Sequence, residues 1–315
     1  MNHKRKGKGC MEFGKLQHID NINFSLPPDD PVTELLWQEL APVPKQPLRV
    51  HVGGTEWGRT SWLGRVYPNG TKPKDFLAHY VRQFNTVELN TLFYGLQPPA
   101  VIGRWASVAG EEFRFCPKFP ETISHKQQLV NAGNDTAAFI GAVEHLRPQL
   151  GPSFLQLSEG FGPDRAAILM EYLRRLPREF RAVVELRHPG WFRPDAGRET
   201  WSLFRELGIG TVITDVAGRR DVAHMRLTSP VAFIRFVTNG LHPTDYLRAD
   251  AWALRIKEWA GKGLKEVYIF VHSPGELTSP DMMKYLIGRI NESGVASLPL
   301  PNLVNGGQAG NLTLF

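Results

Sequence analysis

Short β-rich runs alternate with longer stretches of helical period from about residue 50 onward, and this alternation constrains the fold more than any other feature. Strands that alternate with helices form parallel sheets joined by crossover helices. Eight runs are present, which is the number of strands that closes a TIM-like barrel. The sequence therefore predicts the α/β class and a single (β/α)8 barrel, with an open doubly wound sheet as the competing architecture. The runs are RVHVG (49–53), TVELN (86–90), FRFCPK (113–118), SFLQL (153–157), AVVELR (182–187), TVITD (211–215), AFIRF (232–236) and VYIFVH (267–272).

Most of the stretches that follow these runs place apolar residues at three- and four-residue spacing, as amphipathic helices do. Gly208 and Gly261 follow two of them, at positions typical of helix C-caps. The predicted helices are DFLAHYVRQF, VIGRWASVA, TAAFIGAVEHLR, DRAAILMEYLRRL, RETWSLFRELG, a short AGRRDVAH, ADAWALRIKEWA and PDMMKYLIGRI.

The chain divides into four predicted regions. Residues 1–20 form a basic tail that we expect to be disordered, as short charged termini usually are. Residues 21–48 form a proline-rich extension with one helix-like stretch, TELLWQEL, which packs outside the barrel or links to it. The barrel spans residues 49–292, and residues 293–315 form a C-terminal tail.

The predicted body of the protein is nearly neutral. The whole chain has 37 Lys and Arg residues against 31 Asp and Glu residues, a formal charge of +6. Four of these cations precede residue 10, and without them 33 basic residues stand against 31 acidic ones, a charge of +2. Indiscriminate nucleic-acid binding needs a basic surface, so this balance disfavours it and leaves a local basic patch as the alternative.

The two cysteines, Cys10 and Cys116, lie too far apart in sequence to indicate a disulfide framework, and two are too few for a multi-cysteine metal site. No apolar run approaches the length of a membrane span. The basic amino terminus leads into MEFGKLQHID and not into an apolar signal core. We therefore expect a cytoplasmic protein in a reducing compartment, with no membrane partner.

Polar residues lie in or just after every predicted strand, where barrel enzymes hold their chemistry. Glu88 with Asn90, and Glu185 with Arg187, are two residues apart and therefore share a face of their strand. If that face is the barrel interior, these side chains rim one cavity. The strand-end set is Thr55, Glu56, Glu88, Asn90, Lys118, Gln156, Ser158, Glu185, Arg187, Asp215, Arg235 and His272.

Carboxylates and cations alternate in this set, which suits a pocket for a small anionic substrate. Glu88, Glu185 and Asp215 are the predicted catalytic residues, because carboxylates can move protons beside a bound anion. Lys118, Arg187 and Arg235 are predicted to hold that anion. The alternative is a structural lattice, in which these charges pair with one another and fill the barrel top.

The other predicted substrate-binding residues lie in the loops beside these strand ends. Aromatic side chains beside cations can stack on a base or on a sugar face near a phosphate, although most such aromatics pack under long loops. His188 follows Arg187 directly, and a hydrogen-bonded structural histidine is its alternative role. These candidates are Thr55, Trp57, Asn90, Tyr94 and His188.

The sequence predicts no metal and no cofactor. Glu88, Glu185, Asp215 and His272 could converge on a divalent metal, which is the alternative, but no pair of them has diagnostic spacing. A glycine-rich phosphate loop is also missing from the sequence, which disfavours an ATP-driven or nicotinamide-dependent reaction.

Four longer segments stand out in the predicted barrel: GGTEWGRTSWLGRVYP, FNTVELNTLFYGL, FRFCPKFPETISH and VVELRHPGW. Together they resemble the YecE-like family, domain of unknown function 72, over roughly residues 50–290. The resemblance implies a TIM-like barrel and supplies no reaction, substrate or cofactor. FIRFVTNG lacks the His-Gly expected after Arg235, VHSPG replaces a frequent Asn-Asn, and Ser158 and Glu159 replace usual prolines.

The terminal segment 308–315, QAGNLTLF, resembles the short Leu-x-Leu-Phe peptides by which bacterial DNA enzymes bind the sliding clamp. Asn311 stands where glutamine is usual, and docking of this apolar tail on its own barrel is the alternative. Two functions follow. The first is a hydrolase or lyase acting on a phosphate-bearing sugar or on a nucleotide or nucleic-acid substrate by carboxylate acid-base chemistry at the barrel mouth. The second is a non-catalytic nucleic-acid module recruited by this peptide.

Overall fold

Eight parallel strands form the centre of the protein, and each lies within two residues of its predicted bounds. The structure is a computed structural model, and it describes residues 13–16, 18–41, 46–193 and 196–304. The strands are β1 Arg49–Gly54, β2 Thr86–Leu89, β3 Arg114–Pro117, β4 Ser153–Gln156, β5 Ala182–Glu185, β6 Gly210–Asp215, β7 Val231–Val237 and β8 Glu266–His272.

The strands follow the order β3-β2-β1-β8-β7-β6-β5-β4, and this order brings β3 round to β4. Two isolated parallel bridges, Phe115 to Leu150 and Lys118 to Phe154, join the chain at β3 to the chain at β4. The Phe119 amide also donates to the Phe154 carbonyl at 3.0 Å. The chain is therefore a nearly closed (β/α)8 TIM-like barrel, which confirms the predicted fold class and excludes the open sheet.

The described residues contain nine α-helices. The first precedes the barrel, and most of the others pack around it as crossover connections. They are α1 Pro31–Leu40, α2 Phe76–Tyr80, α3 Thr91–Tyr94, α4 Pro99–Val108, α5 Gly133–Val143, α6 Ala166–Arg174, α7 Arg198–Leu207, α8 Pro243–Lys262 and α9 Ser279–Glu292.

The predicted helix AGRRDVAH, between β6 and β7, is wrong. Only a single 3₁₀ turn, Arg220–Val222, forms there. Tertiary contacts hold the rest of this segment in a non-helical conformation. The Arg220 side chain pairs with Asp215, and the Gly218 amide donates to the Gly14 carbonyl at 2.7 Å. Gly208 caps α7 as predicted, whereas α8 runs past Gly261 to a left-handed cap at Gly263.

Side-chain alternation along the strands separates the barrel interior from the layer between the strands and the helices. One set of residues points into the barrel and forms a closed apolar layer across its middle, while the opposite faces pack against the helices. Below this layer, Glu266 pairs with Arg49 and Arg181. Polar residues lie above it, at the carboxyl ends of the strands. The apolar layer consists of Cys116, Phe154, Val183, Val212, Phe233, Tyr268 and Phe270.

The proline-rich extension packs on the outside of the barrel. The Thr33 hydroxyl of α1 donates to the Met225 carbonyl at 2.8 Å, and Trp37 is buried. Asp29, just before α1, accepts hydrogen bonds from Trp37 and from Trp259 of α8. These contacts join the extension to the barrel wall between β6 and α8.

The expected disordered tail, residues 1–20, is too long. Phe13 and Ile19 are buried, and the Gly14 carbonyl accepts a hydrogen bond from the loop after β6. The apolar side chains of this segment cover part of the barrel mouth. Residues 1–12, with the four cations and Cys10, lie outside the described part of the chain. The clamp-like peptide 308–315 also lies outside it, while Leu303 before it is buried.

Within the described ranges, no helix has an apolar stretch long enough to cross a bilayer.

Candidate functional site

A cavity of about 730 Å³ opens at the carboxyl ends of the strands. Its wall comes from the ends of β1, β2 and β3, with one residue each from β7 and β8. It includes seven of the predicted site residues. These seven are Thr55, Trp57, Glu88, Asn90, Tyr94, Lys118 and Arg235.

Arg235 lies at the floor of this cavity and binds two carboxylates. Its Nε and Nη2 donate to the two oxygens of Glu88 at 2.8 and 2.9 Å. Its Nη1 reaches both oxygens of Glu185, at 3.2 and 3.0 Å. The three side chains come from β7, β2 and β5 at interior positions, and closure of the barrel brings them together.

The neighbours of Glu88 keep it ionised. Asn90 Nδ2 donates to its Oε1 at 2.9 Å, and His272 Nε2 lies 3.2 Å from its Oε2. Burial alone would raise the pKa of Glu88, but the charges of Arg235 and His272 outweigh burial and hold that pKa well below its usual value.

Glu185 is held in the same way on the opposite side of Arg235. Arg187 Nε donates to it at 2.8 Å, Gln156 Nε2 at 2.7 Å, and the Thr214 hydroxyl at 3.2 Å. Burial opposes ionisation, yet Arg187 and Arg235 lower the pKa of Glu185 to about 2. Both interior carboxylates are therefore anions at neutral pH and accept hydrogen bonds from fixed donors.

Lys118 differs from the other charged residues of the cluster. Its Nζ donates to the amide oxygen of Gln156 at 2.9 Å and lies 4.1 Å from the centre of the Phe93 ring. The side chain is 9% exposed and lines the cavity. Burial and the charge of Arg235 lower the pKa of Lys118 to about 7, so this amine exchanges its proton near neutral pH.

A π-helical turn, Thr122–Lys126, places His125 beside Lys118. The His125 ring packs edge-on against Phe93, with centroids 5.3 Å apart, and its Nδ1 lies 2.8 Å from the Ser124 hydroxyl. Burial and the charge of Lys118 lower the pKa of His125. Single π-turns often occur at functional sites, and this one holds a neutral imidazole against the Phe93 ring that Lys118 also contacts.

Four of the predicted residues form the rim of the cavity. Asn90 Nδ2 donates to the Thr55 carbonyl at 3.3 Å, which joins the ends of β1 and β2. Trp57 packs edge-on against Trp105, with centroids 5.4 Å apart. Tyr94 is 74% exposed and stands at the entrance. Arg187 and Glu185 lie behind the floor, where they reach the cavity through Arg235.

The prediction that Asp215 faces the mouth is wrong. Asp215 lies on the outer face of β6, because the interior positions of this strand are Val212 and Thr214. It pairs with Arg248 of α8 at 3.1 Å and with Arg220, and accepts a hydrogen bond from Trp252 at 2.9 Å. Asp215 therefore ties the barrel wall to α8, and its carboxylate is absent from the cavity.

His188 also lies away from the cavity wall. Its Nδ1 accepts the Gly190 amide at 3.0 Å and caps the 3₁₀ turn Pro189–Phe192. This hydrogen bond fixes the loop after β5, which is the structural role that stood as the alternative for His188.

The four possible metal ligands do not converge. Arg235 lies between Glu88 and Glu185, and Asp215 is on the other side of the sheet. Across the described part of the chain, no three His, Cys, Asp or Glu side chains are grouped to hold a metal ion.

The amino-terminal segment covers the other half of the mouth. The Phe13 ring centre lies 4.2 Å from the guanidinium carbon of Arg187 and 5.0 Å from that of Arg219. The same ring packs with Val216 after β6 and Val237 of β7. Among the described residues, the cavity therefore opens above β1, β2 and β3.

Four side chains outside the predicted catalytic and substrate-binding sets also shape the site. Gln156 and His272 belong to the strand-end set, so the strand-end rule could have assigned them to the site. Phe93 lies in α3 and His125 in the π-helical turn after β3, and nothing in the sequence shows that both pack beside Lys118. Their meeting depends on how the loops after β2 and β3 fold back together.

Comparisons with known proteins agree with this architecture. A family model described as Protein of unknown function DUF72 matches residues 51–303. The chain is 31% identical over 258 residues to UPF0759 protein YecE of Escherichia coli K12, covering 75% of this chain and 91% of that protein. The corresponding protein of Escherichia coli O157:H7 gives the same figures.

Two solved structures share the fold. A DUF72 family protein from Enterococcus faecalis V583 superposes with a TM-score of 0.59 at 19% identity, over 77% of this chain and 98% of that one. A DUF72 family protein from Thermotoga maritima MSB8 superposes with a TM-score of 0.53 at 22% identity, over 78% and 96%.

Proposed function

Since the chain belongs to the DUF72 family, whose description names no activity, we propose a function from the mouth itself: a hydrolase or lyase that acts on a small anionic substrate. A phosphate-bearing sugar or nucleotide is the substrate class that we propose. The reaction takes place in the cavity above β1, β2 and β3.

The observation that carries this proposal is the position of Lys118. Its amine lies at the wall of the cavity and is bonded to a neutral amide, with a pKa of about 7. A group that gains and loses a proton near the working pH is what general acid-base catalysis needs. Burying a charged lysine costs free energy. A lysine with a purely structural role would therefore be expected in a solvated position at the surface.

The two interior carboxylates take a supporting role in this proposal. The sequence assigned proton transfer to Glu88 and Glu185, but each is ion-paired and has a lowered pKa. An anion of such low basicity is a weak base at neutral pH. We assign these two carboxylates to fixing Arg235 and Arg187, and proton transfer to Lys118.

The charge balance of the cluster supports an anionic substrate. Two carboxylates face two guanidiniums, Glu88 and Glu185 against Arg187 and Arg235. His272, whose charge also lowers the pKa of Glu88, and the protonated form of Lys118 add positive charge that these two carboxylates do not balance. A substrate anion would stabilise that excess positive charge.

The test is a thermal-shift screen of the protein against sugar phosphates and nucleotides, repeated with Lys118→Met and with Lys257→Met as the control. Lys257 is exposed on α8. We expect a phosphate compound to stabilise the wild type and the control, and Lys118→Met to lose this shift. Hits would then enter turnover assays. Equal shifts in all three proteins would contradict the proposal.

A nucleic-acid module is the second candidate, and the exposed ring of Tyr94 favours it. Tyr94 packs edge-on against Phe93, with centroids 5.2 Å apart, and leaves its face at the entrance, where a base can stack. Recruitment to a sliding clamp through residues 308–315 belongs to this candidate. Binding of short single strands that weakens steeply with salt and survives Lys118→Met would favour it.

A further inference from the structure

The contacts of Lys118 leave the amine able to act as a nucleophile. Its Nζ is bonded to the Gln156 amide oxygen and faces the Phe93 ring, and neither contact is an ion pair. A hydrogen donated to an amide leaves the nitrogen lone pair uncommitted, whereas a bound carboxylate would keep the amine protonated. With a pKa of about 7, roughly half of the molecules carry the neutral amine at neutral pH.

The residues around Lys118 can manage the proton and the charge of an addition reaction. His125 packs against the same Phe93 ring, 5.3 Å between centroids, and its lowered pKa leaves its imidazole neutral. A neutral imidazole can take up and return a proton. The anions of Glu88 and Glu185 offset part of the burial and of the guanidinium charge that disfavour a cation on Lys118. They would offset the same cost for a cationic product at this nitrogen.

From this geometry we infer that Lys118 attacks the carbonyl carbon of an anionic aldehyde or ketone and forms an imine with it. The inference rests on the proposed function and narrows its substrate class. A bond forms between Nζ and the carbonyl carbon as the carbon–oxygen π electrons move to oxygen. The oxygen then leaves as water with the two amine protons, and a carbon–nitrogen double bond remains. No oxidant or reductant is needed.

An imine at this position favours a lyase over a hydrolase. Its protonated form withdraws electrons from the neighbouring carbon more strongly than the parent carbonyl does, so that a bond to that carbon breaks more easily. The cavity of about 730 Å³ has room for a small phosphate-bearing substrate.

The experiment uses pyridoxal 5′-phosphate as the probe, because it carries an aldehyde and a phosphate. The full-length protein is incubated with the probe at pH 7, and sodium borohydride then reduces any imine to a stable secondary amine. Peptide mapping by mass spectrometry locates the adduct. Lysine at its ordinary pKa has a neutral fraction about a thousand-fold smaller at pH 7. A less basic nucleophile is also intrinsically less reactive, which offsets part of this advantage. We expect one adduct per chain, on Lys118, formed about 50-fold faster than on an exposed lysine such as Lys257.

Mapping on the wild-type protein does not depend on whether a variant folds. Lys118→Met, checked by circular dichroism, should lose the rapid adduct, and Lys257→Met should keep it. An adduct spread over exposed lysines, with Lys118 unmodified, would overturn the imine. If the phosphate-dependent thermal shift is still lost in Lys118→Met, the proposed function stands, with Lys118 as an acid-base group. If that shift is retained as well, both proposals fail.

Discussion

Arg235 binds Glu88 through two parallel hydrogen bonds, from Nε at 2.8 Å and from Nη2 at 2.9 Å. The two side chains lie in the barrel interior and are 2% and 0% exposed. Removing one partner of a buried ion pair leaves a charge without compensation. We predict that Arg235→Met lowers the free energy of unfolding by about 3–5 kcal/mol, measured by urea denaturation. Arg175→Met is the control, because Arg175 and Glu171 are 72% and 66% exposed, and should cost less than about 0.5 kcal/mol.

Acid unfolding should show the same dependence on Arg235. The lowered pKa of Glu185, about 2 against an ordinary 4.5, gives stability that is present above pH 4.5 and is lost as the pH falls towards 2. Without Arg235 that pKa rises. The midpoint of acid unfolding in Arg235→Met should therefore move to higher pH, as followed by circular dichroism, and an unchanged midpoint would argue against the ion pairs.

The pKa of Lys118 predicts a second pH dependence of stability, which arises from a lysine and not from a carboxylate. The unfolded chain holds the Lys118 proton up to about pH 10.5 and the folded chain only up to about pH 7, because burial and Arg235 outweigh Glu88 and Glu185. Between these values the unfolded state binds more protons, so stability rises with pH. Relative to Lys118→Met, the wild type should gain up to about 1.4 kcal/mol per pH unit from pH 7.5 to 9.5. Parallel curves from urea denaturation would disprove the shift.

Asp215 provides a test that separates structure from site. Asp215→Asn weakens the ion pairs to Arg248 and Arg220, while Arg248 keeps its bond to Asp245 at 2.6 Å. We expect a loss of about 2–3 kcal/mol in unfolding free energy. The increment in melting temperature caused by a cavity ligand should stay the same, because the Asp215 carboxylate lies outside the barrel. If a folded Asp215→Asn protein lost this ligand-induced rise in melting temperature, Asp215 would have to contribute to ligand binding.

Phe13 gives a prediction about the covered half of the mouth. Its ring packs on Val216 and Val237, and the neighbouring Gly14 carbonyl accepts the Gly218 amide at 2.7 Å. Phe13→Ala should loosen this segment and raise hydrogen exchange at Gly218 by about ten-fold, equivalent to about 1.4 kcal/mol. His18→Ala is the control because His18 is an exposed residue of the same segment. Equal exchange in both variants would mean that Phe13 does not hold the segment.

Strand positions were predictable from the sequence because the strands of this barrel are buried on both faces. Such strands are continuous apolar, β-branched runs that stand out between amphipathic helices. VYIFVH, which became β8, is an example. The period of two also placed Glu88 and Glu185 on faces that turned out to be interior.

The same period explains the error at Asp215. Odd and even positions of β6 were equally consistent with the sequence, since TVITD is buried on both sides. A residue at the end of such a strand can point into the barrel or into the helix layer. Arg248, which lies 33 residues further along the chain on α8, decides that Asp215 points outward.

The sequence by itself determined the α/β class, the eight strands and the polar character of their carboxyl ends, because these depend on local periodicity and on the identity of neighbouring residues. Tertiary structure decided which charges pair. Arg235 meets Glu88 across 147 positions of sequence, and Lys118 meets Gln156 across 38. A pKa depends on burial and on charges a few ångströms away. The low pKa of Lys118 therefore exists only once the barrel has closed around it.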